Sequence, residues 1–81
     1  MTHDQAETLI TEFLSQRFGV PGDKIKPEAR LFDDLALDSI DALDMLALLD
    51  KQHRIRVNEE QARRLRTVED AVQYVLANQP G

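Results

Sequence analysis

The chain has 81 residues, a formal net charge of −5 and no cysteine. That length predicts one domain, 1–81, whose small core must hold without disulfides or thiolate-bound metal, and any functional thiol would have to come from outside the chain. No apolar run approaches the roughly 18 residues that cross a membrane, residues 1–11 lack the basic and apolar blocks of a secretory signal, and the acidic balance argues against nucleic acid as a ligand. A cytoplasmic protein is expected.

The first periodic segment, residues 4–18, places Ala6, Leu9, Ile10, Phe13 and Leu14 on one helical face. Thr2 or Asp4 can cap its start and Gly19 is placed to end it. Residues 20–38 form a long connection in which Pro21, Gly22 and Pro27 break regular structure, with a short helical turn at 27–29. Loops this long in compact domains usually pack or function. Ile25, Leu31, Phe32, Leu35 and Leu37 are expected to tack it onto the core.

The second helix is predicted to start at Ser39 and run to Gln52 or His53. Asp38 is its N-cap, and Asp41 completes a capping box with Asp in the usual Glu position. Ile40, Ala42, Leu43, Met45, Leu46, Ala47, Leu48 and Leu49 cover more than one core-facing stripe needs. Some of them must therefore be exposed or meet a partner. Ile55 and Val57 are too few for a strand and read as an extended lead into a short helix at 59–64, capped by Asn58. The last helix opens on a Thr67–Asp70 capping box, follows the stripe Val68, Ala71, Val72, Val75 and Leu76, and ends at Asn78 and Pro80. Three amphipathic helices and one short one bury their stripes most simply as an all-α bundle.

Charge is unevenly placed. Asp33, Asp34, Asp38, Asp41, Asp44 and Asp50 fall in a stretch with no base, whereas Lys51, Arg54, Arg56, Arg63, Arg64 and Arg66 crowd the segment that follows. Such runs are usually solvated helix faces. The acidic one uses only Asp, a poorer helix former than Glu, which suggests selection for something besides helix stability.

Little here supports chemistry by the chain itself. Ser15 and Ser39 are the only serines, and neither sits in a G-x-S-x-G elbow. Ser39 and His53 are separated by about 21 Å along one helix at 1.5 Å per residue, too far to hydrogen-bond. The Asp series lacks the Gly and terminal Glu of an EF-hand, so no metal site is assigned. Ser39 remains distinctive: a hydroxyl in the first turn of a helix, where free N–H groups and the dipole favour an attached anion. A serine in that position is more often only a helix-start residue.

The stretch L-F-D-D-L-A-L-D-S-I-D, residues 31–41, is similar over its whole length to the loop and modification site of acyl carrier proteins, and Asp38-Ser39-Ile40 matches their D-S-L signature. The likeness continues through Thr67-Val68-Glu69-Asp70-Ala71 and covers most of the chain. The resemblance implies a bundle of three main helices and a short third one. It also implies a non-enzymatic carrier, a monomer when alone. Its serine would bear 4′-phosphopantetheine, transferred from coenzyme A by a phosphopantetheinyl transferase, and acyl groups would ride on that arm as thioesters. The missing thiol is thereby imported.

Position by position, the resemblance makes Ser39 the attachment site and puts Asp38 beside it to assist a magnesium-using transferase. Asp41, Asp44 and Asp50 become acidic docking residues, and Ile40, Leu43 and Ala47 the apolar part of the same face. Implied partners are ketosynthase, acyltransferase, ketoreductase or dehydratase enzymes with basic docking patches. Leu46, Leu49, Phe32, Val68, Val72 and Val75 would line the core where a tethered chain inserts.

The chain departs from common fatty-acid carriers in three ways. Asp44 stands where they have Glu, His53 where Phe is frequent, and Arg54, Arg56, Arg63 and Arg64 where they are mostly acidic. These changes suggest polyketide or other specialised lipid synthesis, against drift in a fatty-acid carrier. Peptidyl, aryl and D-alanyl carriers share the implied arm. A helical interaction module without a prosthetic group is the alternative of a different class, its acidic block serving only to attract a basic partner.

Overall fold

Capping chemistry sets where each helix begins. The computed structural model describes residues 1–80. Thr2 Oγ1 accepts the Gln5 N–H at 3.2 Å and Gln5 Oε1 accepts the Thr2 N–H at 2.9 Å. This reciprocal box starts α1, His3–Phe18, one residue ahead of the expected boundary, and Gly19 ends it in the left-handed region at φ 67°. The connection that follows holds a 3₁₀ turn, Gly22–Lys24, rather than only the turn expected near Pro27.

Three further helices complete the order: α2, Ser39–His53; α3, Glu59–Ala62; and α4, Val68–Asn78. Asp38, Asn58 and Thr67 cap them as expected. The short α3 stops two residues before the predicted end. Arg64 N–H bonds Gln61 C=O instead of continuing the helical ladder, so residues 63–64 form a turn. None of the described helices is long and apolar enough to cross a membrane.

The apolar stripes converge. Ile10 and Leu14 of α1, Met45, Leu46 and Leu49 of α2, and Val68, Val72 and Val75 of α4 are fully buried. α1 packs chiefly on α4. Each such side chain taken from water contributes about 1.5–3 kcal/mol before entropy is counted. Leu31, Leu35 and Leu37 bury beside them and hold the long loop.

Side-chain burial is only half of what fastens that loop. Leu31 N–H donates to Arg66 C=O at 2.8 Å, Val68 N–H to Ala29 C=O at 2.9 Å, and Glu69 N–H to Pro27 C=O at 3.0 Å. Arg30 and Thr67 thus form an isolated antiparallel bridge that ties the loop to the start of α4. Two of these bonds satisfy N–H groups that the first turn of α4 would otherwise leave without partners.

Phe32 corrects an expectation. The family resemblance implies a core position for it, yet it is 40% exposed. The neighbouring Leu31 takes the buried position, which turns the next side chain outward along the rim of the α2–α3 cleft.

Tyr74 is the anchor that periodicity does not reveal. Its hydroxyl donates to Arg56 C=O and accepts the Asn58 N–H, each at 2.7 Å. The ring is buried, so one residue of α4 fixes the extended lead and the cap of α3.

Candidate functional site

Ser39 is the first residue of α2 and is exposed. Two local devices place it. Ala36 adopts a left-handed conformation at φ 58°, and Leu37 N–H then bonds back to Leu31 C=O at 3.1 Å. This returns the chain to the core and buries Leu37, so Asp38 arrives at the helix start. There Asp38 Oδ1 accepts the Asp41 N–H at 2.8 Å and Asp41 Oδ2 accepts the Asp38 N–H at 3.3 Å. The box leaves the N–H groups of Ser39 and Ile40 without an acceptor among the described residues. Those N–H groups and the positive end of the α2 dipole favour a phosphate oxygen at this turn.

Beside Ser39 lies a cleft of about 470 Å³ between α2 and α3. Phe32, Ala42, Leu43, Leu46, Val57, Ala62 and Leu65 give it an apolar wall, with Glu59 and Arg63 among its lining. A group leaving the Ser39 hydroxyl would therefore have open solvent on one side and a largely apolar groove on the other. The residues present fit a phosphate-linked, flexible prosthetic arm.

The outward face of α2 carries the apolar surplus noted in the sequence. Ile40 is 74% exposed and Leu43 56% exposed, and Ala47 and Asp50 are exposed as well. Their spacing of three and four residues puts all four on one stripe. Asp41 and Asp44 do not share that freedom. Both are half-buried, Asp41 is engaged in the capping box, and Arg17 of α1 donates to Asp44 Oδ2 at 3.2 Å. The structure therefore brings Ile40, Leu43, Ala47 and Asp50 together and sets Asp41 and Asp44 on the flank, their carboxylates partly used within the chain. The Arg17 contact was not anticipated. A base in the last turn of α1 was its only sequence signal.

Comparison with known proteins places the chain in a family. Residues 8–75 match the family model described as "Phosphopantetheine attachment site". The chain is 32% identical to an acyl carrier protein of Helicobacter hepaticus over 77 residues, covering 95% of this chain and 96% of that protein. It is 30% identical over 76 residues to one from Chlorobium phaeobacteroides, covering 94% and 97%. In structure it resembles the acyl carrier protein of Enterococcus faecalis, with a TM-score of 0.78 at 25% identity over 98% of this chain and 100% of that one. It also shares the fold of the Thermotoga maritima acyl carrier protein, with a TM-score of 0.79 at 23% identity over 96% and 91% of the two chains.

Proposed function

The chain belongs to the acyl carrier proteins, the family built around a phosphopantetheine attachment site, and on that premise we propose that Ser39 is its point of attachment. Members of this family are carriers, not enzymes. The observation that carries the assignment is the exposed Ser39 hydroxyl at the α2 N-terminus, bordering the apolar cleft. When attached, 4′-phosphopantetheine supplies the thiol on which acyl groups are held as thioesters.

The chain's own residues have four tasks. Ser39 offers the oxygen that forms the phosphodiester: its hydroxyl would give its proton to a base of the transferase and bond the pantetheine-side phosphorus of coenzyme A, as the pyrophosphate bond breaks and adenosine 3′,5′-bisphosphate leaves. Its N–H and that of Ile40, with the helix dipole, stabilise the resulting anion. Asp38 fixes the turn through its bond to Asp41 N–H, and its second carboxylate oxygen, with no hydrogen-bond partner among the described residues, is available to a transferase's magnesium ion. The cleft wall formed by Leu43, Leu46 and Leu65 shields apolar cargo from water, at about 25 cal/mol per Å² of apolar surface removed.

Ile40, Leu43, Ala47 and Asp50 form the docking stripe, with Asp41 and Asp44 as flanking charges. Partners with basic patches, among them the phosphopantetheinyl transferase and acyl-processing enzymes, would be steered by the acids and held by the apolar side chains. The exposed Arg54, Arg56, Arg63 and Arg64 support service in a specialised lipid or polyketide pathway, because they put positive charge at positions where common fatty-acid carriers are mostly acidic.

The test is transfer. The purified chain is incubated with coenzyme A, magnesium and a promiscuous transferase, and its intact mass is taken. One phosphopantetheinyl increment is expected, absent in Ser39→Ala. No increment, or one that survives the substitution, contradicts the assignment.

A further inference from the structure

The first turns of α1 and α4 meet at a mixed-donor cluster away from the α2–α3 cleft. His3 Nε2 lies 2.9 Å from Glu69 Oε2 and 3.1 Å from Oε1. Glu7 follows His3 by four residues and shares its face of α1. One ligand atom from each of His3, Glu7 and Glu69 lies within 4.8 Å of the other two. His3 is exposed, and both glutamates are half-buried. Gln73, one turn along α4, donates from Nε2 to Glu69 Oε2 at 2.8 Å.

We propose that His3, Glu7 and Glu69 form a binding site for a divalent transition-metal ion of the zinc type. Donor chemistry is the first support: one imidazole nitrogen with two carboxylates is a set that such ions accept. Spacing is the second. Metal–ligand bonds of about 2.1 Å in tetrahedral geometry put donors about 3.4 Å apart. The His3–Glu69 contacts at 2.9 and 3.1 Å and the 4.8 Å limit of the set bracket that value, so rotamer-scale shifts complete the site. Orientation is the third. The Gln73 amide restrains the Glu69 carboxylate from outside the cluster, as outer-shell partners do for metal ligands.

Three protein ligands leave the fourth position to water. Calcium and magnesium are poorly served, because they take six or more oxygens or keep their own water shells. An ion here joins α1 to α4, the two helices that pack most extensively, and so raises thermal stability. The site is independent of Ser39, since none of its residues lines the cleft.

The test uses the full chain, stripped with a chelator and dialysed. Zinc is titrated by calorimetry at pH 7, with calcium in a parallel arm. One zinc per chain is expected, bound at least about tenfold more tightly than calcium, because only zinc uses the imidazole. His3→Gln should weaken zinc binding by about tenfold or more and leave calcium unchanged, since even outer-shell losses cost roughly 10–100-fold. Equal zinc affinity in His3→Gln and the parent, or no saturable zinc binding, overturns the site. A second readout does not depend on a variant. Substoichiometric nickel should broaden the ring signals of His3 before those of His53. Equal or reversed broadening contradicts the assignment.

Discussion

Arg17, in the last turn of α1, donates to the Asp44 carboxylate of α2 at 3.2 Å, so an acid beside the exposed Ile40–Leu43 stripe already has a cation within the chain. Both side chains remain about half exposed, and such a surface pair contributes at most about 1 kcal/mol to stability. Its consequence is electrostatic. An incoming basic partner meets a partly neutralised flank and an exposed Asp50 whose carboxylate has no partner among the described residues. Arg17→Ala should change stability by less than about 0.5 kcal/mol. It should also quicken association with a basic-faced partner by about twofold at low salt, while Asp44→Lys slows it. Both differences should shrink as salt rises. Stopped-flow association rates check this, and rates indifferent to both substitutions would move docking off this flank.

Ala36 is a non-glycine residue in the left-handed region, at the step that returns the chain to Leu37 and Asp38. Left-handed backbone costs an L-residue about 1–2 kcal/mol, whereas glycine adds about 0.4–1 kcal/mol of unfolded-state entropy. Ala36→Gly should therefore stabilise the fold by about 0.5–1 kcal/mol net. Urea midpoints measure it, and a clear loss of stability would show that the Ala36 methyl packs to more effect than the strain costs.

Tyr74→Phe keeps the buried ring and removes both hydrogen bonds of its hydroxyl. Asn58 N–H and Arg56 C=O are then left to find other partners. A loss of about 1–3 kcal/mol is expected. Amide exchange near Asn58 should speed up more than exchange in α1. Uniform acceleration would instead mean that Tyr74 supports the whole core and not the α3 entry in particular.

His3 and Glu69 give a pH prediction for the metal-free chain. The Glu69 carboxylate raises the His3 pKa above its ordinary 6.5, with Glu7 and Asp4 adding to the effect. The Gln73 amide, then His3, lowers the Glu69 pKa below 4.5. A raised histidine contributes stability below 6.5 and loses it as pH rises through the folded value. A lowered glutamate contributes above 4.5 and loses it as pH falls. The contribution of the pair is thus largest between those two values. In chelator, the melting difference between parent and His3→Gln should peak near pH 5.5 and narrow toward both pH 8 and pH 3. A flat difference across that range would show that the contact is not maintained in solution.

What was legible in the sequence is what local chemistry decides. Asp38, Asn58 and Thr67 bond within three residues of themselves, so their caps could be read without knowing how the helices meet, and Thr2 is one of the two caps the sequence offers for α1. The buried stripe Val68, Val72, Val75 follows helical periodicity in the same way. Ser39 was legible through its neighbours, because an ordinary helix-start serine looks the same by position alone.

The relationships that were missed all span the fold. Arg17–Asp44, His3–Glu69 and Tyr74–Arg56 join residues 27, 66 and 18 positions apart. Their existence depends on the angle at which helices dock, which periodicity does not encode. Phe32 was misplaced for a related reason. It lies in a loop without repeat, so its direction follows from the Leu31–Leu37 backbone bond and the reversal at Ala36. The acidic face read as uniform because charge is visible in a sequence while the neighbouring cation from α1 is not.

The most direct measurement is the mass of the protein isolated from its own cells, followed by fragmentation of the peptide that contains Ser39. A single phosphopantetheinyl group on Ser39 is predicted, with an additional acyl increment that thioester cleavage removes. A chain recovered wholly unmodified under growth, or modified at Ser15 instead, would contradict the assignment of Ser39 as the tether.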